Sequence, residues 1–274
     1  MTQGGAEPSA PVPAECQLLG VTVHPITLEG LCRAVDDAVA SDARRVIGNH
    51  NLNSVYLYHR DPGLRAFYGR SSLTFIDGMP LVLWGRLLGL PLRREHRLTA
   101  VDWLRPLLCH ATRRRWRIFF LGGKPGIAVR AAARLREEIP GLDVHTAHGY
   151  FDPTPGGPES TAVLARIREV RPHVLIVGMG MPRQERWIVG ELERIAANVI
   201  LNQGAFLDYV AGECPTPPRW AAAVGLEWLA RLAADPRRLW RRYLVHPWAL
   251  LPFLARDWTR RRSPAQGTRH LPGR

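Results

Sequence analysis

Short apolar runs alternate with longer amphipathic stretches along most of this chain. Runs at residues 18–23, 45–48, 73–76, 117–121, 143–146, 174–177 and 199–201 are rich in Val, Ile, Leu and Phe and read as strands. Between them, apolar positions recur at helical spacing over residues 28–40, 53–60, 80–88, 100–113, 127–139, 161–169 and 184–196. Strands that alternate with helices predict βα units, hence an α/β fold with a mostly parallel sheet flanked by helices. Thr27 and Thr99 stand where a hydroxyl can cap the helices that follow. The Pro/Gly-rich stretch 152–158 reads as a surface loop, and there are no internal repeats.

After Gly212 the pattern changes. Pro215-Thr216-Pro217-Pro218 breaks the chain, and residues 220–233 and 237–258 read as helices with Trp, Leu and Arg interleaved. The expected organisation is a disordered lead over 1–16, an α/β core over 17–213, a helical appendage over 214–262 and a disordered tail over 263–274. The lead lacks the basic start and apolar run of a signal peptide. No stretch approaches the ~20 apolar residues that span a bilayer.

Charge sharpens this division. The formal net charge is +13, and from residue 228 onward eleven arginines against two aspartates supply +9. Lys124 is the only lysine. The four cysteines, Cys16, Cys32, Cys109 and Cys214, form no CxxC pair and read as reduced thiols. No histidine spacing or Asp-x-Asp pair suggests a metal site, so metal-independent chemistry and no cofactor are expected.

The densest chemistry follows two strand ends. Val174-Leu175-Ile176-Val177 runs into Gly178-Met179-Gly180-Met181-Pro182-Arg183-Gln184-Glu185, a turn that brings backbone N–H groups and a helix start near a ligand. The next strand opens into Asn202-Gln203-Gly204-Ala205-Phe206-Leu207-Asp208 on the same sheet edge. Many such turns bind nothing, and two cofactor fingerprints fail. Arg183 stands where a GxGxxG would need its third glycine, and Gly122-Gly123-Lys124-Pro125-Gly126 lacks P-loop spacing. A second constellation comprises Ile47-Gly48-Asn49-His50-Asn51 and Phe75-Ile76-Asp77-Gly78-Met79-Pro80. Asp77 either projects as a functional carboxylate or only caps the following helix. Arg97 and Asp102 bracket a helix start, where a salt bridge and cap compete with a role in a site. His148-Gly149-Tyr150 reads as a turn.

Taken in order, these segments resemble the WecG/TagA/CpsF glycosyltransferases, which include N-acetylmannosaminyltransferases of teichoic acid and enterobacterial antigen and related exopolysaccharide enzymes. The resemblance covers residues 18–245. It also takes in Phe119-Phe120-Leu121-Gly122-Gly123, His148-Gly149-Tyr150-Phe151, Gly204 through Gly212, Pro217-Pro218-Arg219-Trp220, Gly225 through Leu232 and Pro236-Arg237-Arg238. It implies a Rossmann-like enzyme that moves a hexosyl group, N-acetylmannosamine or a related sugar, from a UDP-sugar to a polyprenyl-diphosphate-linked sugar with inversion. Asp77 matches the proposed general base, and Arg97 matches a cation facing the departing UDP. Asn51, Gln184 and Asp208 match donor-holding positions, with Gly122, Gly123, Tyr150, Gly178, Gly180, Glu185 and Gly204 beside them in the same motifs. This chain has Asn49 where the family usually has Thr, and Ala100 where it usually has Gly. Asn49 is expected near the acceptor hydroxyl.

The appendage carries Arg237, Arg238, Arg241 and Arg242 beside Trp240, Tyr243, Trp248, Leu250, Leu251, Phe253, Leu254 and Trp258. Such a segment suits the acceptor diphosphate and an anionic membrane surface, and a helix packed on its own domain is the competing reading. Pro247 and Pro252 argue against a membrane span. A cytoplasmic protein peripherally bound to the inner face of the plasma membrane is expected, with oligomerisation left open. Two other classes compete. A basic nucleic-acid-binding protein lacks any accompanying motif, so no nucleic-acid partner is expected. A nicotinamide-dependent oxidoreductase lacks the third glycine and its acidic companion.

Overall fold

The computed structural model describes residues 14–214 and 227–262. Residues 1–13 of the expected lead, the 215–218 break, the motif residues Arg219, Trp220, Gly225 and Leu226, and the expected tail lie outside the described residues.

Six strands form one parallel sheet: β3 (Arg45–His50), β4 (Ser71–Ile76), β5 (Ile118–Gly122), β6 (Val144–Ala147), β7 (Val174–Gly178) and β8 (Val199–Asn202). Their spatial order is β4-β3-β8-β7-β5-β6, with every pairing parallel. The fold is therefore Rossmann-like α/β. Strand alternation divides the core. Ile47, Phe75, Ile118, Phe120, Val174, Ile176, Val199 and Leu201 face α1 (Leu28–Ala40), α5 (Ala100–Arg113), α6 (Ile127–Glu138) and α9 (Phe206–Ala211). Val46, Phe119, Leu121, Leu175, Val177 and Ile200 face α3 (Pro62–Arg70), α7 (Pro158–Val170) and α8 (Arg183–Glu191). Both faces are covered, which is why these strands read as continuous apolar runs. At the β6 edge the outward carbonyls of Val144 and Thr146 accept from Arg136 and Arg166, which blunts an otherwise open strand.

Several elements differ from the sequence expectation, among them the unexpected α9 and the helix over 184–196, which ends at Glu191 in a 3-10 turn. The single strand over 18–23 is a hairpin, β1 (Cys16–Leu18) and β2 (Val21–Val23). Leu19 (φ 52°) and Gly20 (φ 75°) form its two-residue turn, the geometry that suits strand twist. Asp61 caps an additional helix, α3, through the Gly63 N–H, and Pro62 opens it. The expected helix over 237–258 is broken. Pro236–Trp240 is followed by a π-turn over Arg241–Val245, a 3-10 turn over His246–Leu250 and a helix over Leu251–Arg262. Pro247 lacks the N–H that would continue an α-helix there.

This C-terminal segment packs against the core. Leu250 is buried with Leu81 and Val82 of α4 (Met79–Leu87). His246 stacks on Tyr56 of α2 (Leu52–Tyr58) at 4.0 Å, and Phe253 stacks on His59 at 3.7 Å. Asp257 accepts from the Leu19 N–H in the hairpin turn at 2.6 Å. Among the described residues no helix is long and apolar enough to cross a membrane.

Candidate active site

The strand ends at β3 and β4 are built to hold two polar side chains side by side. Beyond β4 the ladder runs one residue further, with the Asp77 N–H donating to the His50 carbonyl at 2.8 Å. Asn51 caps α2, its Oδ1 accepting from the Asn53 and Ser54 N–H groups at 3.1 Å each. That fixes its amide group, which donates to Asp77 Oδ2 at 3.2 Å. The N-cap position of α4 is Gly78, at φ 138°, with no side-chain cap bond. Asp77 stands one residue before that N-cap position.

Arg97 reaches the same place by backbone register. It bridges to Ile76, and the Leu98 N–H donates to the Ile76 carbonyl at 2.8 Å. Asp102 Oδ2 accepts from Arg97 Nη2 at 3.0 Å, from the Thr99 N–H at 3.1 Å and from the Thr99 hydroxyl at 2.7 Å. One carboxylate thus orders the start of α5 and aims the guanidinium. The salt bridge holds Arg97 beside the strand end that carries Asp77.

Above these residues lies a cavity of about 320 Å³. Asn51, Asp77, Arg97 and Thr99 line it from the core, and Trp228, Arg231, Arg242, Tyr243 and Pro247 line it from the C-terminal segment. Arg242 Nε is buried there with no hydrogen-bond partner. A volume of this size holds a sugar-sized group. Five positive or amide-bearing side chains, Asn51, Asn53, Arg97, Arg231 and Arg242, around one carboxylate suit a substrate carrying both hydroxyls and phosphate.

The other expected site residues divide into three groups. Asn49, Gln184 and Glu185 lie beneath the strand ends, buried in one polar network. The Gly180 N–H donates to Gln184 Oε1 at 3.0 Å, Gln184 Nε2 to Glu185 Oε1 at 2.6 Å, and Asn202 Nδ2 to the same Glu185 oxygen at 2.8 Å. Asn49 Nδ2 donates to both the carbonyl and the Oδ1 of Asn202. Asn49 was expected near the acceptor hydroxyl; at 3% exposure its side chain instead ties β3 to β8, because its amide finds two acceptors on that strand. Burial raises the Glu185 carboxyl above its ordinary pKa, and its Oε2 is buried without a partner, which suits a protonated acid.

Glycines form the second group. A Cβ at Gly122 would run into the Gly178 carbonyl, and one at Gly178 would lie 2.8 Å from the Gly204 carbonyl. These two permit close backbone approach, whereas Gly180 and Gly204 have nothing within 4 Å of such a Cβ and border open space. Gly123, at φ 67°, turns the chain after β5, and its carbonyl accepts from the Gly149 N–H at 2.8 Å.

The third group is peripheral to the cavity. Tyr150 is exposed on the loop after β6. Asp208 is half-buried in the first turn of α9, where its carbonyl accepts from the Glu213 N–H at 2.9 Å. Arg237 and Arg241 are exposed and Arg242 lines the cavity; the Arg238 side chain lies outside the described residues.

Sequence reasoning missed Trp228, Arg231 and Tyr243 as lining residues, because only docking of the C-terminal segment brings them over β3 and β4. It also passed over Asn202 and Gln203, although both stand in the motif at the end of β8. Gln203 is buried, with its Oε1 lacking a hydrogen-bond partner.

Known proteins are similar to this chain in sequence. An N-acetylglucosaminyldiphosphoundecaprenol N-acetyl-beta-D-mannosaminyltransferase of Staphylococcus aureus (strain NCTC 8325 / PS 47) is 27% identical over 213 residues, covering 74% of this chain and 81% of the relative. Proteins of the same description from strains COL and MRSA252 match to the same extent. The model of the glycosyl transferase WecG/TagA/CpsF family matches residues 16–264, from the first strand to beyond the last described helix, so the chain belongs to that family.

Proposed function

We propose that this chain transfers a hexosyl group from a UDP-sugar to a polyprenyl-diphosphate-linked sugar, with inversion and without a metal ion. The observation that carries the reading is Asp77, held by Asn51 at the floor of a cavity that Arg97, Arg231 and Arg242 surround. The Staphylococcus aureus relatives, named for N-acetylmannosamine transfer to N-acetylglucosaminyl diphosphoundecaprenol, support that sugar and that acceptor for this chain.

The chemistry follows from the charges. Asp77 takes the proton of the acceptor hydroxyl as its oxygen attacks the anomeric carbon of the donor. The bond from that carbon to the diphosphate breaks in the same displacement, so configuration inverts. Negative charge grows on the departing UDP, and the guanidinium groups of Arg97 and Arg242 neutralise it at fixed positions. Those cations do the work that a divalent ion does elsewhere, which is the basis of the metal-free reading.

The C-terminal segment gives the same site an approach to lipid. Trp240, Leu244, Val245, Trp248 and Leu251 are exposed beside Arg237 and Arg241, a pattern suited to anionic headgroups on the inner face of the plasma membrane. Leu250, Phe253 and Leu254, expected to face the membrane, instead pack against the core. The residues left for lipid are thus Trp240, Leu244, Val245, Trp248 and Leu251.

The test is UDP release by the full chain across a panel of UDP-sugars, with a synthetic polyprenyl-diphosphate-sugar acceptor. Release should require the acceptor, survive EDTA and fall by on the order of 10²–10⁴ in Asp77→Ala. Normal turnover by a folded Asp77→Ala protein removes the general base from this mechanism. Complete loss in EDTA, restored by Mg²⁺ or Mn²⁺, overturns the metal-free reading.

A further inference from the structure

We infer that Gln203 reads the base of the nucleotide donor, its carboxamide pairing with the imide edge of uracil. The inference rests on the UDP-sugar reading and adds the residue that selects the base.

Gln203 occupies a defined station on the sheet edge. The β8 ladder continues to it, its N–H donating to the Val177 carbonyl at 2.8 Å. Alternation from Val199 and Leu201 turns it to the side of the sheet that α1, α5, α6 and α9 cover. Alternation from Leu73 and Phe75 turns Asp77 to that same side. Ile47 pairs with both Leu73 and Leu201, so Gln203 stands level with Phe75, two strands away and two residues short of Asp77. Two inter-strand spacings and two residues of rise separate their Cα atoms by about 12 Å. Substituents of the transferred ring sit next to its anomeric carbon, too near Asp77 to reach Gln203. The base is set off from that carbon by a diphosphate and a ribose, which carry it the required distance.

The side chain is poised for a ligand. Gln203 is 9% exposed, and its Oε1 is buried with no hydrogen-bond partner. With Oε1 as the buried atom, the unmet group is an acceptor. A buried amide atom left unpaired costs free energy that a ligand atom recovers. The residue that follows it borders open space, since a Cβ at Gly204 would meet nothing within 4 Å. A carboxamide presents one acceptor and one donor group side by side. The uracil imide edge presents the complement, an N3–H flanked by carbonyl oxygens, whereas cytosine places a lone pair at N3. An acceptor held at this point therefore favours uracil.

Calorimetric titration of the full chain with UDP, 3-methyl-UDP and CDP tests this, using wild type, Gln203→Leu and Gln203→Met. Wild type should bind UDP at least about tenfold more tightly than 3-methyl-UDP or CDP, the worth of one buried hydrogen bond. Both variants, with unchanged thermal unfolding, should bind UDP and 3-methyl-UDP equally weakly. Equal affinity of wild type for UDP and 3-methyl-UDP overturns the inference without reference to any variant. Discrimination that persists in a folded variant overturns it as well. If wild type binds no UDP, the nucleotide-donor reading itself fails; UDP binding without discrimination sinks only the role of Gln203.

Discussion

His50 makes the floor of the site sensitive to acid. It ends β3, one residue before Asn51, and is 1% exposed. Its ring stacks on Tyr68 at 3.8 Å, meets Tyr58 edge-on at 6.1 Å, and its Nδ1 lies 3.0 Å from the Ser54 hydroxyl. Burial, with His59 adding to it, lowers its pKa from 6.5 to about 3. The folded protein therefore keeps this ring neutral while the unfolded chain protonates below pH 6.5. Stability from this group is fully present above 6.5 and is lost as pH falls toward 3, by roughly 1.4 kcal/mol per pH unit. Between pH 7 and pH 5 the loss comes to roughly 2 kcal/mol. Urea unfolding of wild type and His50→Gln at both pH values isolates this contribution, since the other titrating groups are common to both proteins. Wild type should lose roughly 2 kcal/mol more than the variant over that interval. Equal losses would refute the buried, neutral histidine.

Asp102→Ala removes both the Thr99 contacts and the orientation of Arg97. It should cost about 1 kcal/mol of stability and about tenfold in kcat, with an unchanged kcat arguing against any role for Arg97 orientation. For Glu185, whose folded pKa is raised, the folded state holds more protons, so wild type should lose stability as pH rises from 4.5 through the folded value. Glu185→Gln should lack that slope in urea melts, and parallel slopes would mean the acid is ionised in the fold. Arg241→Ser with Trp248→Ser should reduce co-sedimentation with anionic vesicles by about fivefold or more, from the lost cation alone. Unchanged sedimentation would turn the exposed segment away from the membrane. These point changes suit the test better than truncation, because Leu250 is part of the core.

What the sequence determined by itself was local in origin. The apolar runs at 174–177 and 199–201 could only be strands buried on both faces, and βα alternation then required a parallel sheet. Asp77 and Asn51 were legible because each follows a strand of that sheet directly, so register alone delivers both to one edge. The motif at Gly178–Glu185 was also legible, but its side-chain directions were not. Gln184 and Glu185 turn inward because the Gly180 N–H within the motif and Asn202, at the end of the next strand, complete their hydrogen bonds. Asn49 turns inward for the same reason. Leu19-Gly20 looked like the middle of a strand because positive φ at a leucine carries no sequence signature when His59 and Asp257 hold the turn. The cavity itself was decided by tertiary structure alone. Its roof comes from residues 228–247 and its floor from strands more than a hundred residues earlier. Side-chain periodicity tells which face of an element is apolar, but which distant face meets it is settled only by the packing of the whole chain.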